Sequence, residues 1–379
     1  MIKRHGKLDV ILLLTVVMLV IFGVVMVFSA SYYSTISGGV GPYYYLTQSV
    51  QWAIGGFAVM IIASFIPYRV YFKLAPVIVI SSLVFLLLLF TPLGTNINGA
   101  TRWIQIGELT FMPGEFAKFA VIVGCAWFYT KYADKTKTFI RGFLAIGLGA
   151  VIYFYLIYKQ PNLSTAVIVA LTIVAIMFLA GVNPGFILGG IAAGVMLVYM
   201  EIQTRDGFHA SRMTNFLDPF SDPQGEFFQT VQGLLALGSG GLTGSGLGNS
   251  VQKALWLPYA QNDFIFAIIG EETGFIGCIL VIIAYFVLVW RCMLIAIRSK
   301  DRFAMLTGGG IAILFALQVA FNIGVVTSIL PPTGVILPFV SYGGNAILLF
   351  MLLIGVMLNI SRQDNAEYGK RKRRKEEAA

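Results

Sequence analysis

Asp263 stands at the head of an apolar run, Asp263-Phe-Ile-Phe-Ala267, and is followed two turns later by Glu271 and Glu272. A carboxylate at a helix start can cap backbone N–H groups and gain from the helix dipole. At a water-facing rim the same group suits a general base. A second constellation is Glu115 with Lys118, three residues apart and therefore on one helix face within an otherwise apolar run. Either charge alone in lipid would cost about 3 kcal/mol or more, so the two either pair with each other or serve a substrate path. A third is the stretch Gly238-Ser-Gly-Gly-Leu-Thr-Gly-Ser-Gly-Leu-Gly-Asn-Ser250. Glycine-rich turns expose N–H groups to anions. Here no Gly-Lys-Ser/Thr follows and no strand precedes, so taken alone the stretch reads as a flexible or tightly turned loop. His5 and His209 are the only histidines, and Cys125, Cys278 and Cys292 make no CxxC pair. That leaves little from which to build a triad, a disulfide framework or a zinc site.

The elements that must position these groups follow from composition. Of 379 residues, 58% are hydrophobic and 11% charged, with a mean hydropathy of +0.84. Ordinary soluble domains carry roughly 25% charged residues, so the solvent for this chain is largely lipid. The net charge of +9 would suit nucleic acid only beside a folded soluble core, and the apolar runs leave no such core. Runs long enough to cross a bilayer lie at about 8–30, 48–66, 74–92, 113–130, 141–158, 163–181, 183–200, 263–290, 303–327 and 337–360. The expected fold is therefore an all-α polytopic membrane protein with about ten transmembrane helices. The first run lacks a cleavage pattern and reads as a retained signal anchor.

With the N-terminus cytoplasmic, 20 of the 26 Lys and Arg residues fall on the inner side, which places both termini in the cytoplasm. The organisation expected is a transmembrane domain over 1–362 and a cytoplasmic basic tail over 363–379. Lys370 to Lys375 in the tail read as a retention charge or an anionic-lipid contact. The long segment 201–262, between helices 7 and 8, is then extracytoplasmic, as is the shorter 93–112. Such a long connection with many aromatic residues is expected to be ordered and functional, with short amphipathic or re-entrant helices. Few cations remain outside: Arg102, Lys159, Arg205, Arg212 and Lys253.

Several blocks carry a family resemblance: Asn98-Gly-Ala-Thr-Arg-Trp103, Pro113-Gly-Glu-Phe-Ala-Lys118, Lys159-Gln-Pro-Asn162 and Gln229 through Lys253. Two more are Leu257-Pro-Tyr-Ala-Gln-Asn-Asp-Phe-Ile-Phe266 with Gly270-Glu-Glu-Thr-Gly274, and Leu330-Pro-Pro-Thr-Gly-Val-Ile-Leu-Pro-Phe-Val-Ser-Tyr-Gly-Gly344. In this order they resemble the SEDS family of bacterial envelope growth (FtsW, RodA and SpoVE), over residues 8 to 362. Pro332-Thr-Gly334 and Leu358-Asn-Ile-Ser-Arg362 look more like the FtsW/SpoVE branch than RodA. Gly114, Asn262 and Asn345 depart from the family pattern without removing an ionisable group.

The resemblance implies a peptidoglycan glycosyltransferase that polymerises lipid II at the outer membrane face, in cell division or spore cortex synthesis. By family analogy Asp263 is the catalytic base. Arg102, Arg212 and Lys253, with Lys118, are candidate cations for the leaving pyrophosphate. Glu115 with Lys118 would line the same cavity, and in this context the glycine run could also cradle phosphate or sugar. Ser341 and Tyr342 either hydrogen-bond sugar or permit close helix packing. The resemblance further implies a class B penicillin-binding protein as partner, besides other divisome or elongation proteins. Mg²⁺ or Mn²⁺ would aid pyrophosphate departure, and no organic cofactor is expected. The competing expectations are a lipid II flippase and a non-catalytic scaffold.

Overall fold

The computed structural model describes residues 8–376 except 98–99, 108, 205–215, 217, 226 and 255. Arg212 therefore lies outside the described residues. The chain forms α1 (Val10–Ser37), α2 (Tyr44–Phe65), α3 (Tyr68–Leu88), a small sheet, α4 (Pro113–Lys131), and α5 (Ala145–Tyr158), the last entered through a π-helical turn at Phe139–Leu144. Then come α6 (Leu163–Ala180), α7 (Pro184–Thr204), the short α8 (Phe228–Ser239), α9 (Ile265–Arg298), α10 (Arg302–Val326) and α11 (Gly344–Glu376). Among the described residues eight helices are long and apolar enough to cross a membrane: α1, α2, α3, α5 with its π-helical entry, α6, α9, α10 and α11 to Gln363. Of the other two expected spans, α4 carries Glu115 and Lys118 in its first turns, and α7 contributes the shorter apolar stretch Pro184–Gly194.

The helix ends follow local chemistry. Asp9 caps α1 by accepting from Leu12 N at 3.0 Å, and its carboxylate is gripped by Arg291 of α9. Asn162 caps α6 and Asp301 caps α10 in the same way. Helix α6 stops at Gly181, whose φ of 84° lets the chain turn back under its last carbonyls. The membrane-facing sides of the helices remain apolar. Ile54, Ile61, Val77, Ile80, Leu280 and Phe286 are all exposed, a surface that water would not support and lipid does.

Three features depart from the pattern expected of the sequence. Residues 94–111, read as loop, build an antiparallel sheet in the order β1 (Gly94–Ile97), β2 (Ala100–Ile106), β3 (Leu109–Phe111). Thr95 pairs with Trp103 and Ile104 with Phe111, and Arg102 projects from its central strand. The last span begins at Gly344 rather than 337, because Phe339 takes a φ of 66° and the chain runs irregularly up to Gly343. The irregular segment 331–343 instead wedges into the bundle against α1, where a Cβ on Gly23 would lie 2.4 Å from Phe339 O. Third, α9 is broken at Gly274, with φ 67° and ψ −169°.

Candidate active site

The break in α9 explains the glycine run. A helix interruption leaves main-chain donors and acceptors without intrahelical partners, and burying them unpaired costs free energy. Residues 240–246 supply those partners. Ser245 N donates to Glu271 O at 2.9 Å and Gly246 N to Glu272 O at 3.0 Å, while Phe275 N and Ile276 N donate to Gly241 O and Leu242 O. The approach is too close for side chains. A Cβ on Gly240 would stand 2.0 Å from Gly270 O, and one on Gly244 would stand 2.2 Å from Glu272 O. The amides of Ser245 and Gly246 thus point into the protein, so this part of the run acts as the splint of a broken helix, not as an anion cradle.

Glu271 and Glu272, given no role by the sequence reading, anchor the loop that follows. Glu271 accepts from Ser250 Oγ at 2.5 Å and from Val251 N at 2.7 Å. Glu272 accepts from Ser29 Oγ of α1 at 2.6 Å and pairs with Lys253 Nζ at 2.6 Å. Lys253, expected among the outward cations, is 3% exposed and its ammonium also donates to Ser29 Oγ. Its contacts tie the loop to α9 and α1, and none of them reaches Asp263.

Ten residues later the chain arrives at Asp263, in the turn just outside α9. Several elements converge to hold that turn. Gln229 of α8 donates to Pro258 O, Tyr342 N donates to Gln261 O, and Asn322 of α10 donates to Asp263 O at 2.7 Å. Gly334, at φ 69°, lies beside the carboxylate, with a Cβ there 3.8 Å from Asp263 Oδ2. Across the site, Arg102 of β2 donates through Nε to Gln160 O at 3.5 Å and through its terminal nitrogen to Pro161 O. The loop carrying these carbonyls is itself docked, since Ser164 Oγ donates to Thr333 O. The loop 159–162 with the first turn of α6, the segment 331–343 and strand β2 thereby assemble around one carboxylate.

Burial pushes the Asp263 carboxyl up to about 6, against the opposing pulls of a main-chain hydrogen bond and of the Arg102 charge. Burial lowers the pKa of Arg102, and the negative charge of Asp263 raises it again. A carboxyl near 6 is ionised at neutral pH yet basic enough to take a proton, the condition for general-base catalysis. Asp263 and Arg102 thus lie near enough for each charge to act on the other.

Glu115 and Lys118 form a buried ion pair at 2.7 Å on α4, with Lys118 Nζ also 3.4 Å from Gln318 Oε1 of α10. Mutual pairing accounts for their presence in an apolar helix, but Glu115 Oε2 has no hydrogen-bond partner, which leaves one acceptor for a further ligand. Ser341 is engaged by its own turn, its Oγ accepting from Leu337 N at 2.8 Å, which favours packing over sugar contact. Gln318 and Asn322 are the groups the sequence reading missed. Their signal was available: two amides four residues apart on one face of an otherwise apolar span. Among the described residues no group of three or more His, Cys, Asp or Glu side chains is placed to hold a metal ion.

The fold and this site define a multi-pass membrane protein with a loop-built, charged centre at one end of its helices. Residues 9–366 match the family model of FtsW, RodA and SpoVE, described as "Cell cycle protein", and the chain belongs to that family. It is 37% identical to a Trichlorobacter lovleyi protein named "Probable peptidoglycan glycosyltransferase FtsW", over 94% of each chain. It is 36% identical to the "Stage V sporulation protein E" of Bacillus subtilis, over 93% of this chain and 97% of that one. Among solved structures it matches a chain from "Structural coordination of polymerization and crosslinking by a peptidoglycan synthase complex", with a TM-score of 0.78 and 25% identity over 94% of this chain and 98% of that one. The Thermus thermophilus rod shape determining protein RodA shares the fold, with a TM-score of 0.68 at 23% identity over 94% of this chain and 97% of that one.

Proposed function

We propose that this protein is a peptidoglycan glycosyltransferase that polymerises lipid II at the outer face of the cytoplasmic membrane, in division or spore cortex synthesis. The observation that carries the reading is Asp263: a carboxylate of raised basicity, opposed by Arg102, in a turn fixed by three neighbouring elements. Asp263 takes the proton from the acceptor GlcNAc 4-hydroxyl as that oxygen forms a bond to C1 of the donor MurNAc. The C1–O bond to pyrophosphate breaks, and undecaprenyl pyrophosphate leaves with the electron pair. Arg102, held by two main-chain carbonyls, steadies the negative charge that develops there. By analogy with the family, Glu115 and Lys118 line the same cavity and orient the substrate, and Glu115 Oε2 is an unpaired acceptor there.

The asymmetry of Lys and Arg supports a cytoplasmic location for both termini and an outward site. The likeness to a chain from a peptidoglycan synthase complex supports a class B penicillin-binding protein as partner. Mg²⁺ or Mn²⁺ would have to rely on pyrophosphate oxygens and one or two carboxylates, because the described residues offer no preassembled cage.

The test is polymerisation of labelled lipid II by the protein purified with its class B partner, with and without divalent cation. Wild type yields glycan strands on a gel. Asp263→Asn, folded and still partner-bound, loses at least about 10²-fold in rate. Substantial polymer from the variant removes Asp263 from the chemistry. No polymer from either, together with lipid II crossing between vesicle leaflets, points to a flippase.

A further inference from the structure

Asn322 is fully buried in α10, in a membrane-spanning helix where a polar side chain is costly unless it is used. Both protons of its amide nitrogen are committed. Nδ2 donates to Asp263 O at 2.7 Å and to Val335 O at 2.6 Å. One side chain therefore joins three pieces of backbone that are distant in sequence: α10, the turn before α9 and the irregular segment before α11. The neighbour of Val335 is Gly334, the residue whose Cβ position lies 3.8 Å from the Asp263 carboxylate. One turn below, Gln318 accepts from Lys118 Nζ at 3.4 Å. This face of α10 thus touches both the Asp263 turn and the Glu115–Lys118 pair.

We propose that Asn322 is a positioning residue for the reaction, fixing the main chain of Asp263 against the 333–335 segment so that the carboxylate meets the acceptor hydroxyl at a set distance. The inference rests on the glycosyltransferase reading above and adds to it a residue that touches no reacting atom. The physical reason is the geometry of restraint. Asp263 sits in a turn, and no helical hydrogen-bond ladder holds its carbonyl. Without the Asn322 amide, that carbonyl and Val335 O are left buried and unpaired, and the two segments separate or admit water. A displacement of about 1 Å of a reacting group costs on the order of 10²-fold in rate. Binding of the lipid-linked sugars, made by other residues, is left in place.

The experiment compares wild type, Asn322→Ala and Asn322→Asp, each purified with the partner, in steady-state polymerisation of labelled lipid II. The aspartate variant keeps the side-chain shape and removes the two-proton donor. Both variants are expected to lower kcat by about 10- to 100-fold, with KM for lipid II within about twofold and partner binding unchanged. A residue that merely held the bundle together would lose active protein without separating kcat from KM. The proposal is overturned if kcat in the folded variants stays within about threefold of wild type, or if KM rises while kcat holds. It is also overturned if neither variant accumulates as folded protein, since the residue is then one of assembly. Absence of polymer from wild type sinks the glycosyltransferase reading itself, and that outcome is distinguished by the wild-type lane alone.

Discussion

Lys253 Nζ and Glu272 Oε1 lie 2.6 Å apart, with side chains 2% and 0% exposed, and Ser29 of α1 bonds to both. A loop residue and a helix residue have thus become a single buried unit with the first transmembrane helix. Removing one partner strands the other's charge. Lys253→Met is expected to destabilise the protein by about 3–5 kcal/mol, whereas Lys253→Met with Glu272→Leu should cost less than either single change. Unfolding in detergent, followed by denaturant titration of all three variants, measures the coupling.

The activity should depend on pH through Asp263. A base must be ionised, so the rate at limiting substrate rises with pH through about 6, the value to which burial brings this carboxyl. Arg102 lowers that value, so Arg102→Gln moves the acidic limb of the profile to higher pH. A limb that stays in place, or moves down, removes Arg102 from the electrostatics of the base.

The glycines of the run separate into those that pack and those that do not. Gly244→Ala combines a φ of 79° with a Cβ 2.2 Å from Glu272 O and should lose the docked loop, with activity falling to background. Gly248→Ala has φ 86° but open space around it, so it costs only the left-handed strain, about 1–2 kcal/mol. Gly238→Ala, in α8 with nothing near its Cβ position, should be neutral or stabilising by up to about 1 kcal/mol. Melting temperatures of the three variants order the sites.

For the α4 pair, Lys118→Met leaves Glu115 as a buried unpaired carboxylate and should cost about 3–5 kcal/mol. Adding Glu115→Gln restores much of the stability. If the pair serves the substrate as proposed, the folded double variant still polymerises poorly; full activity in that variant would make the pair structural alone.

The apolar runs of about 20 residues made the helices legible, and the ordered motifs made Asp263 legible. What sequence could not supply was which polar groups meet. Lys253 reads as an outward cation because its neighbours in sequence are polar, but its partners Ser29 and Glu272 belong to other elements and remove it from solvent. Gly274 lies inside a run that has the length of one continuous span, and the local Gly270-Glu-Glu-Thr-Gly274 does not by itself distinguish a helix break from a polar patch. The counterpart of that break is the glycine run more than 25 residues earlier, whose function as splint appears only once the two are docked. The strands of 94–111 are three to seven residues long, too short for alternation to stand out from loop. Arg102 stands out in the sequence as one of few outward charges, and the sheet explains how it is held.

The break at Gly274 also partitions the molecule's cooperativity. The N-terminal turns of α9, from Ile265 to Thr273, are joined to the glycine run by hydrogen bonds that replace the missing helical ones and are buried in the core, while the turns after Gly274 expose an apolar side. Local opening of such a structure proceeds by units that share hydrogen bonds. Residues 240–246 and the amides of Phe275 and Ile276 should therefore exchange hydrogen as one unit, and release of the splint would loosen Glu271, Glu272 and the loop they anchor together. The base of the proposed reaction thus stands two residues before turns that share hydrogen bonds with the splint and bury Ile265, Ile268 and Ile269 in the core, so opening of the splint is coupled to packing around Asp263.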